Sequence, residues 1–136
     1  MQKTDWTQLW LKYEKKRDFG NGAYVAKAAL KGFSAENRVI AHALEELNNG
    51  IYGMLGVTVR MVSDPGEASL VLVNSNDRKK EGFSLREQEG VLTLSAADEN
   101  GLLYGVFHLL RLIAMEKPLE GIRQVVDPDD PLRMYD

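Results

Sequence analysis

The chain has 136 residues and no cysteine, and its 17 basic and 20 acidic side chains give a formal charge of −3 at pH 7. This length fits one domain, and 44% hydrophobic with 27% charged residues is typical of a globular rather than a disordered chain. The lack of cysteine excludes disulfides, thiolate metal sites and a cysteine nucleophile, and the acidic balance argues against nucleic acid as a partner.

Aromatic residues open the chain. Trp6, Trp10 and Tyr13 share one face of a helix by their spacing, but Trp6 and Trp10 would also share one face of a strand, so the element type stays open. Two glycines and an asparagine within residues 18–22 predict a turn. The alternation in residues 24–30 predicts a short strand, although alanine is a poor strand former.

The first clear helix is predicted over residues 35–53, with Ser34 as its N-cap. Apolar residues recur there at steps of three and four, as one buried helix face requires. Alternation in residues 57–61 predicts a half-buried strand, and Asp64, Pro65 and Gly66 predict a turn.

The second half of the chain predicts three more strands and a helix. Residues 68–73 are nearly all apolar, as in a strand covered on both faces, and a polar loop follows at 74–80. Residues 83–94 predict a hairpin with a glycine-assisted turn. Asp98 is placed to cap a helix over 99–115, which is apolar nearly all round.

A last strand is predicted over residues 122–126, before an acidic, proline-containing linker at 127–131. The element order therefore predicts an α+β fold, with a mixed β-sheet and two main helices. No apolar run is long enough to span a bilayer, and the first residues lack the apolar stretch of a signal peptide, although a leader could have been removed before them.

No set of residues forms a self-sufficient active site. The chain has no phosphate-binding loop and no Gly-x-Ser-x-Gly motif, and neither His42 nor His108 has a second histidine at the i+4 spacing of a helical metal pair. The paired carboxylates do not face each other across a gap, as glycoside hydrolysis requires; they are Glu45 with Glu46, Glu87 with Glu89, Asp98 with Glu99, and Asp129 with Asp130. We therefore predict no catalytic, cofactor-binding or metal-binding residue and no cofactor.

The aromatic cluster of Trp6, Trp10 and Tyr13 has two interpretations. Flat aromatic faces can stack on sugar rings, which would make the chain a carbohydrate-binding module. Aromatic residues at this spacing more often anchor a core or an interface.

Three blocks resemble one family in order and spacing. Residues 101–111, Gly-Leu-Leu-Tyr-Gly-Val-Phe-His-Leu-Leu-Arg, resemble the closing helix of the N-terminal domain of glycoside hydrolase family 67, the α-glucuronidases. Residues 10–13 resemble the opening Trp-Leu-Arg-Tyr segment of that family, and residues 131–134 resemble the junction with the catalytic barrel. Residues 18–33 depart from the family pattern.

The resemblance implies a fold and an activity. The fold is a mixed sheet with helices, similar to the accessory domain that precedes the barrel in β-hexosaminidases. This domain is expected over residues 1–130. Residues 131–136 are expected to start the linker or first strand of a catalytic barrel that the chain itself does not contain. The activity is that of a parent enzyme, which removes α-1,2-linked (4-O-methyl)glucuronic acid from xylo-oligosaccharides with inversion. Its catalytic carboxylates belong to the barrel, so the 136-residue chain alone is expected to be inactive.

The same resemblance sets the expected partners. They are the parent's own catalytic barrel and, through the parent, the xylo-oligosaccharide, with no nucleic acid and no membrane span. An exposed apolar patch is expected where the barrel packs. Two alternatives stay open: a different hexosaminidase-like parent, and a stand-alone carbohydrate-binding or interaction module. The oligomeric state and the compartment, cytoplasmic or periplasmic and secreted, also stay open.

Overall fold

A six-stranded mixed sheet with helices forms the described part of the chain, residues 15–75 and 82–126 of the computed structural model. The elements in chain order are α1 (Asn21–Val25), β1 (Lys27–Lys31), α2 (Arg38–Leu55), β2 (Arg60–Met61), a short 3-10 helix (Pro65–Glu67), β3 (Leu70–Asn74), β4 (Phe83–Gln88), β5 (Val91–Ala96), α3 (Glu99–Ala114) and β6 (Arg123–Val126).

The strand order in the sheet is β2-β1-β3-β5-β4-β6. The first four of these strands run parallel to one another, and β4 runs antiparallel to both β5 and β6. The hairpin of β4 and β5 turns through Glu89 and Gly90, both with positive φ, which is the conformation that a two-residue type I′ turn needs.

Both long helices pack on the same face of the sheet. Side chains of α2 and α3 form one core with alternate residues of β1, β3, β5 and β4. The fully buried large side chains of this core are Ile40, Leu47, Ile51, Met54, Leu70, Leu72, Leu85, Leu92, Leu94, Leu102, Leu109 and Ile113. Burial of these apolar surfaces is the main stabilising contribution, at about 25 cal/mol per Å².

The two helices approach closely at a glycine. A Cβ at Gly50 of α2 would lie 2.6 Å from a methyl carbon of Leu110 of α3, and one at Gly105 of α3 would lie 2.6 Å from a methyl carbon of Leu94 of β5. Glycine at these two positions therefore permits the layers to pack as tightly as they do.

The second face of the sheet, opposite the helices, is mostly polar. Ala29, Ala68 and Val71 form a small apolar cluster on it. Of the strand residues that the register places on this face, five are basic and none is acidic. The basic residues are Lys27, Lys31, Arg60, Arg86 and Arg123.

The predicted fold class is confirmed: a mixed sheet carries two main helices. The hairpin, the last strand and the helix capped by Asp98 are also confirmed, since the Asp98 carboxylate accepts a hydrogen bond from the Gly101 amide at 2.8 Å. Residues 68–73 form most of β3, with Leu70 and Leu72 buried against the helices and Val71 buried on the second face.

Two predictions near the N-terminus are wrong in part. Residues 24 and 25 belong to α1 rather than to a strand, because Asp18 accepts hydrogen bonds from the amides of Asn21 and Gly22 and starts a short helix. The N-cap of α2 is Asn37, not Ser34: the Asn37 side chain accepts from the amides of Val39 and Ile40.

The strand predicted over residues 57–61 is shorter than expected, since only Arg60 and Met61 pair with β1 at the edge of the sheet. The Val59 amide instead donates to the Asn48 side chain of α2. The boundary predicted between residues 130 and 131, and the linker before it, lie outside the described residues.

Candidate functional site

The two histidines, His42 and His108, lie on different helices and have different surroundings. His42 is exposed on α2, whereas His108 of α3 is half-buried, with its Nε2 atom 2.7 Å from the side-chain oxygen of Gln124 and its ring 5.4 Å from that of Phe83. Within residues 15–75 and 82–126, no three His, Cys, Asp or Glu side chains come together in a way that could hold a metal ion.

Glu87 is a carboxylate that hydrogen bonds from three groups hold in its charged form. Its oxygens accept hydrogen bonds from the amides of Gly121 at 2.6 Å and Gly90 at 2.9 Å, and the Tyr24 hydroxyl also donates to it. These hydrogen bonds, led by that from Gly121, lower the pKa of Glu87 below its ordinary 4.5. A carboxylate held in its charged form in this way is a structural anchor, not a general acid.

Tyr24 is the partner of Glu87 on the N-terminal side. Partial burial raises the pKa of Tyr24 above its ordinary 10.0, and the negative charges of Glu87 and Glu120 raise it further. The hydroxyl therefore stays protonated at neutral pH and donates to Glu87. Neither group is poised for proton transfer near neutral pH.

Asn21, predicted from the sequence only as a turn residue, is a buried polar residue that joins two distant segments. It is fully buried, and its side chain donates to the Lys117 carbonyl at 2.9 Å and accepts from the Leu119 amide at 2.9 Å. It thereby joins the start of α1 to the segment after α3. An asparagine beside glycines is typical of a turn, so the neighbouring sequence does not indicate that Asn21 is buried and bonded to residues 117 and 119.

One pocket lies beside α3 and is mainly apolar. It has a volume of about 200 Å³ and is lined by Phe83, Tyr104, Phe107, His108 and Arg111. Tyr104 is 48% exposed. The pocket contains no carboxylate, so the lining residues offer contact surface rather than acid–base chemistry.

A second pocket lies on the second face of the sheet, over β4 and β5. It has a volume of about 190 Å³ and is lined by Ser84, Arg86, Gln88, Thr93 and Ser95. Hydroxyl, amide and guanidinium groups at such a site suit the hydroxyl and carboxylate groups of a ligand. The lining has no nucleophile–base pair and no acid, so it suits binding rather than catalysis.

The sequence predicted no catalytic, cofactor-binding or metal-binding residue, and this stays a prediction. The aromatic cluster of Trp6, Trp10 and Tyr13 and the carboxylate pair of Asp129 and Asp130 lie outside the described residues. Within the described part of the chain, no helix is both long and apolar enough to cross a membrane.

The fold is shared with solved glycoside hydrolases. A GH20 β-N-acetylhexosaminidase from Streptomyces coelicolor matches with a TM-score of 0.59 and 19% identity, over 77% of this chain and 22% of that chain. A GH138 enzyme targeting pectin rhamnogalacturonan II matches with a TM-score of 0.57 and 16% identity, over 73% and 15%. A GH115 4-O-methyl-α-glucuronidase with specificity for decorated arabinogalactans matches with a TM-score of 0.53 and 18% identity, over 73% and 17%.

At 16–19% identity these matches show a shared fold, and the fold predicted from the β-hexosaminidase resemblance is confirmed. The chain spans about a fifth or less of the length of these three enzymes. No curated protein sequence matches it significantly.

The family follows from the sequence. The model of the glycosyl hydrolase family 67 N-terminus matches residues 9–109, which is more than half of the chain. The chain therefore belongs to the N-terminal domain family of glycoside hydrolase family 67, and the family resemblance noted in the sequence is confirmed.

Proposed function

We propose that the chain is the non-catalytic N-terminal domain of an α-glucuronidase. The parent enzyme removes α-1,2-linked (4-O-methyl)glucuronic acid from xylo-oligosaccharides with inversion, and so acts in xylan degradation. The observation that carries this proposal is the family 67 match over residues 9–109. The described residues add support, because the Glu87 carboxylate is occupied by structural hydrogen bonds.

The partner of the domain in this proposal is the parent's own catalytic barrel. Exposed aromatic side chains on both long helices support a contact on the helix layer: Tyr52 of α2 is 62% exposed and Tyr104 of α3 is 48% exposed. Leu103 and Phe107, beside Tyr104 on α3, are only partly buried. Such apolar groups are typical of a surface that another domain covers.

The test of the proposal is hydrolysis of 4-O-methylglucuronosyl-xylotriose by the complete product of the gene, with the 136-residue chain assayed beside it. Proton NMR of the first released sugar shows which anomer forms. The proposal predicts release of the β-anomer by the complete protein and no turnover by the 136-residue chain.

Two outcomes would overturn parts of this proposal. Turnover by the 136-residue chain that a single substitution within it abolishes would show that the domain is catalytic. A complete protein that leaves the aldouronic acid intact but cleaves β-N-acetylhexosaminides would assign the domain to another hexosaminidase-like parent.

A further inference from the structure

Two arginines lie side by side on the second face of the sheet. The antiparallel register pairs Arg86 of β4 with Arg123 of β6. The Glu87 amide donates to the Ile122 carbonyl at 2.9 Å, which makes the neighbouring Arg86–Arg123 pair a non-hydrogen-bonded one. In such pairs the Cα atoms are about 4.5 Å apart and the side chains are closest.

Like charges directly opposite each other destabilise a sheet, so an anion bound between the two arginines would stabilise this pair. Both arginines are exposed, and neither side chain forms a hydrogen bond or ion pair with any residue in the described ranges. The nearest carboxylate in sequence, Glu87, lies on the opposite face and is held by Gly90 and Gly121. No acidic strand residue shares the second face with the arginines.

The pocket that Arg86 lines contains a polar group without a partner among the described residues. Ser84 is only 9% exposed and lines this pocket, and none of the described residues forms a hydrogen bond with its hydroxyl. Thr93 and Ser95 of β5 and Gln88 of β4 line the same pocket. A buried hydroxyl that faces a pocket is satisfied by a group that enters it, because an unmade hydrogen bond there is costly.

We propose that this surface, defined by Ser84, Arg86, Gln88, Thr93, Ser95 and Arg123, binds a uronic acid residue of an oligosaccharide. Arg86 and Arg123 hold the sugar carboxylate, since guanidinium groups match a carboxylate with two parallel hydrogen bonds. The serine and threonine hydroxyls and the Gln88 amide bind the sugar hydroxyls. The pocket, at about 190 Å³, suits one sugar ring rather than an extended chain.

The choice of a uronic acid rests on the proposed function, whose substrate carries this group. The surface would then hold acidic side groups of xylan close to the enzyme, away from the barrel. A broad polyanion such as nucleic acid fits less well, because the chain has a net charge of −3 and four of the five residues that line the pocket are neutral, Arg86 being the fifth.

The test is an NMR titration of the ¹⁵N-labelled 136-residue chain with 4-O-methylglucuronosyl-xylotriose, with neutral xylotetraose as the second ligand. We expect saturable shifts of the amides of β4 and β5 with the acidic ligand. Neutral xylotetraose should bind at least about tenfold more weakly, since a charge-assisted contact contributes enough for one decade of affinity.

Three variants and one control sharpen the test. Arg86→Gln and Arg123→Gln should each weaken binding about tenfold, and Arg86→Lys should recover only part of the loss because lysine lacks the planar fork. Arg38→Gln is the matched control: it removes the same charge from the exposed start of α2, on the helix layer. This variant should bind as the wild type does.

Several results would overturn the proposal. These are no shift at any ligand concentration, equal binding of the acidic and neutral oligosaccharides, and equal loss in the Arg38→Gln control. If neither sugar shifts any amide, and the combined substitutions Asp127→Asn, Asp129→Asn and Asp130→Asn by themselves shift the amides of β4 and β6, the surface binds the chain's own acidic segment instead.

The failure of this proposal is distinguishable from failure of the proposed function. If the complete protein hydrolyses the aldouronic acid but the 136-residue chain does not bind it, the α-glucuronidase assignment stands and the proposed binding surface is refuted. If the 136-residue chain binds the acidic ligand but the complete protein does not hydrolyse it, the binding surface is supported and the α-glucuronidase assignment of the parent is refuted.

Discussion

At the scale of single residues, Asn21 and Glu87 join segments that are distant in the chain. Asn21 binds the backbone of residues 117 and 119, and Glu87 binds the amides of Gly90 and Gly121. Both therefore hold the segment between α3 and β6 against the rest of the fold. Sequence reasoning missed both roles, because each depends on a partner more than 30 residues away.

Asn21→Ala should lower the free energy of unfolding by about 2 kcal/mol, since it leaves the buried Leu119 N–H and the partly buried Lys117 carbonyl without this partner. Urea unfolding followed by circular dichroism measures this change. The control is Asn49→Ala, at an exposed position of α2, which should change the value by less than about 0.5 kcal/mol. Equal effects of the two substitutions would contradict the structural role of Asn21.

Glu87 makes stability depend on pH in acid. Because hydrogen bonds lower its pKa in the folded chain, the folded state binds its proton less readily than the unfolded state does. The stabilisation that Glu87 contributes is therefore complete above its ordinary pKa of 4.5 and is lost as the pH falls through the lower folded value.

Glu87→Gln should accordingly lower Tm at neutral pH and flatten the fall of Tm below pH 4.5. Thermal melts across this range test the prediction, with Glu45→Gln on the exposed side of α2 as the control. A parallel fall of Tm in the wild type and in Glu87→Gln would show that other carboxylates set the acid sensitivity.

At the scale of elements, the parts with strong local periodicity were predictable. Three elements could be predicted from their own residues, without knowledge of distant contacts. They are α2 from its amphipathic pattern, α3 from its long apolar run, and the β4–β5 hairpin from its alternation. The short elements were not predictable, because five-residue α1 depends on Asp18 and two-residue β2 depends on its pairing with β1.

The pairing of Arg86 with Arg123 was also not predictable from the sequence. The two residues are in separate strands, and only the register of β4 with β6 brings them together. The sequence shows their charges but not their proximity. For this reason this surface could not be predicted from the sequence, and the second face of the sheet emerged only from the structure.

Gly105→Ala tests how closely α3 packs on the sheet. The added methyl carbon would lie 2.6 Å from a methyl carbon of the fully buried Leu94. Overpacking of this kind costs about 1–3 kcal/mol, which exceeds the roughly 1 kcal/mol that alanine gains in helix propensity. We expect the free energy of unfolding to fall by about 1 kcal/mol.

Leu94→Val in the Gly105→Ala background should recover part of this loss, because the smaller side chain makes room for the new methyl group. A double-mutant cycle with denaturant unfolding measures the coupling. An increase in stability on Gly105→Ala alone would show that the helix can shift away from the sheet without cost.

At the scale of the whole molecule, the two faces of the sheet have different characters. One face carries the helix layer, whose outer surface exposes Tyr52 and Tyr104, and the other carries basic and hydroxyl side chains. In our account the helix layer packs against the catalytic barrel of the parent and the second face binds acidic sugars. The family 67 match supports the existence of such a parent.

Amide hydrogen exchange, compared between the 136-residue chain and the complete product of the gene, tests this account most directly. The account predicts slower exchange over one contiguous surface of the domain in the complete protein, centred on the peptides that contain Tyr104 and Tyr52. Identical exchange at every peptide of the domain would contradict it, because the domain would then be an independent module that does not pack against a barrel.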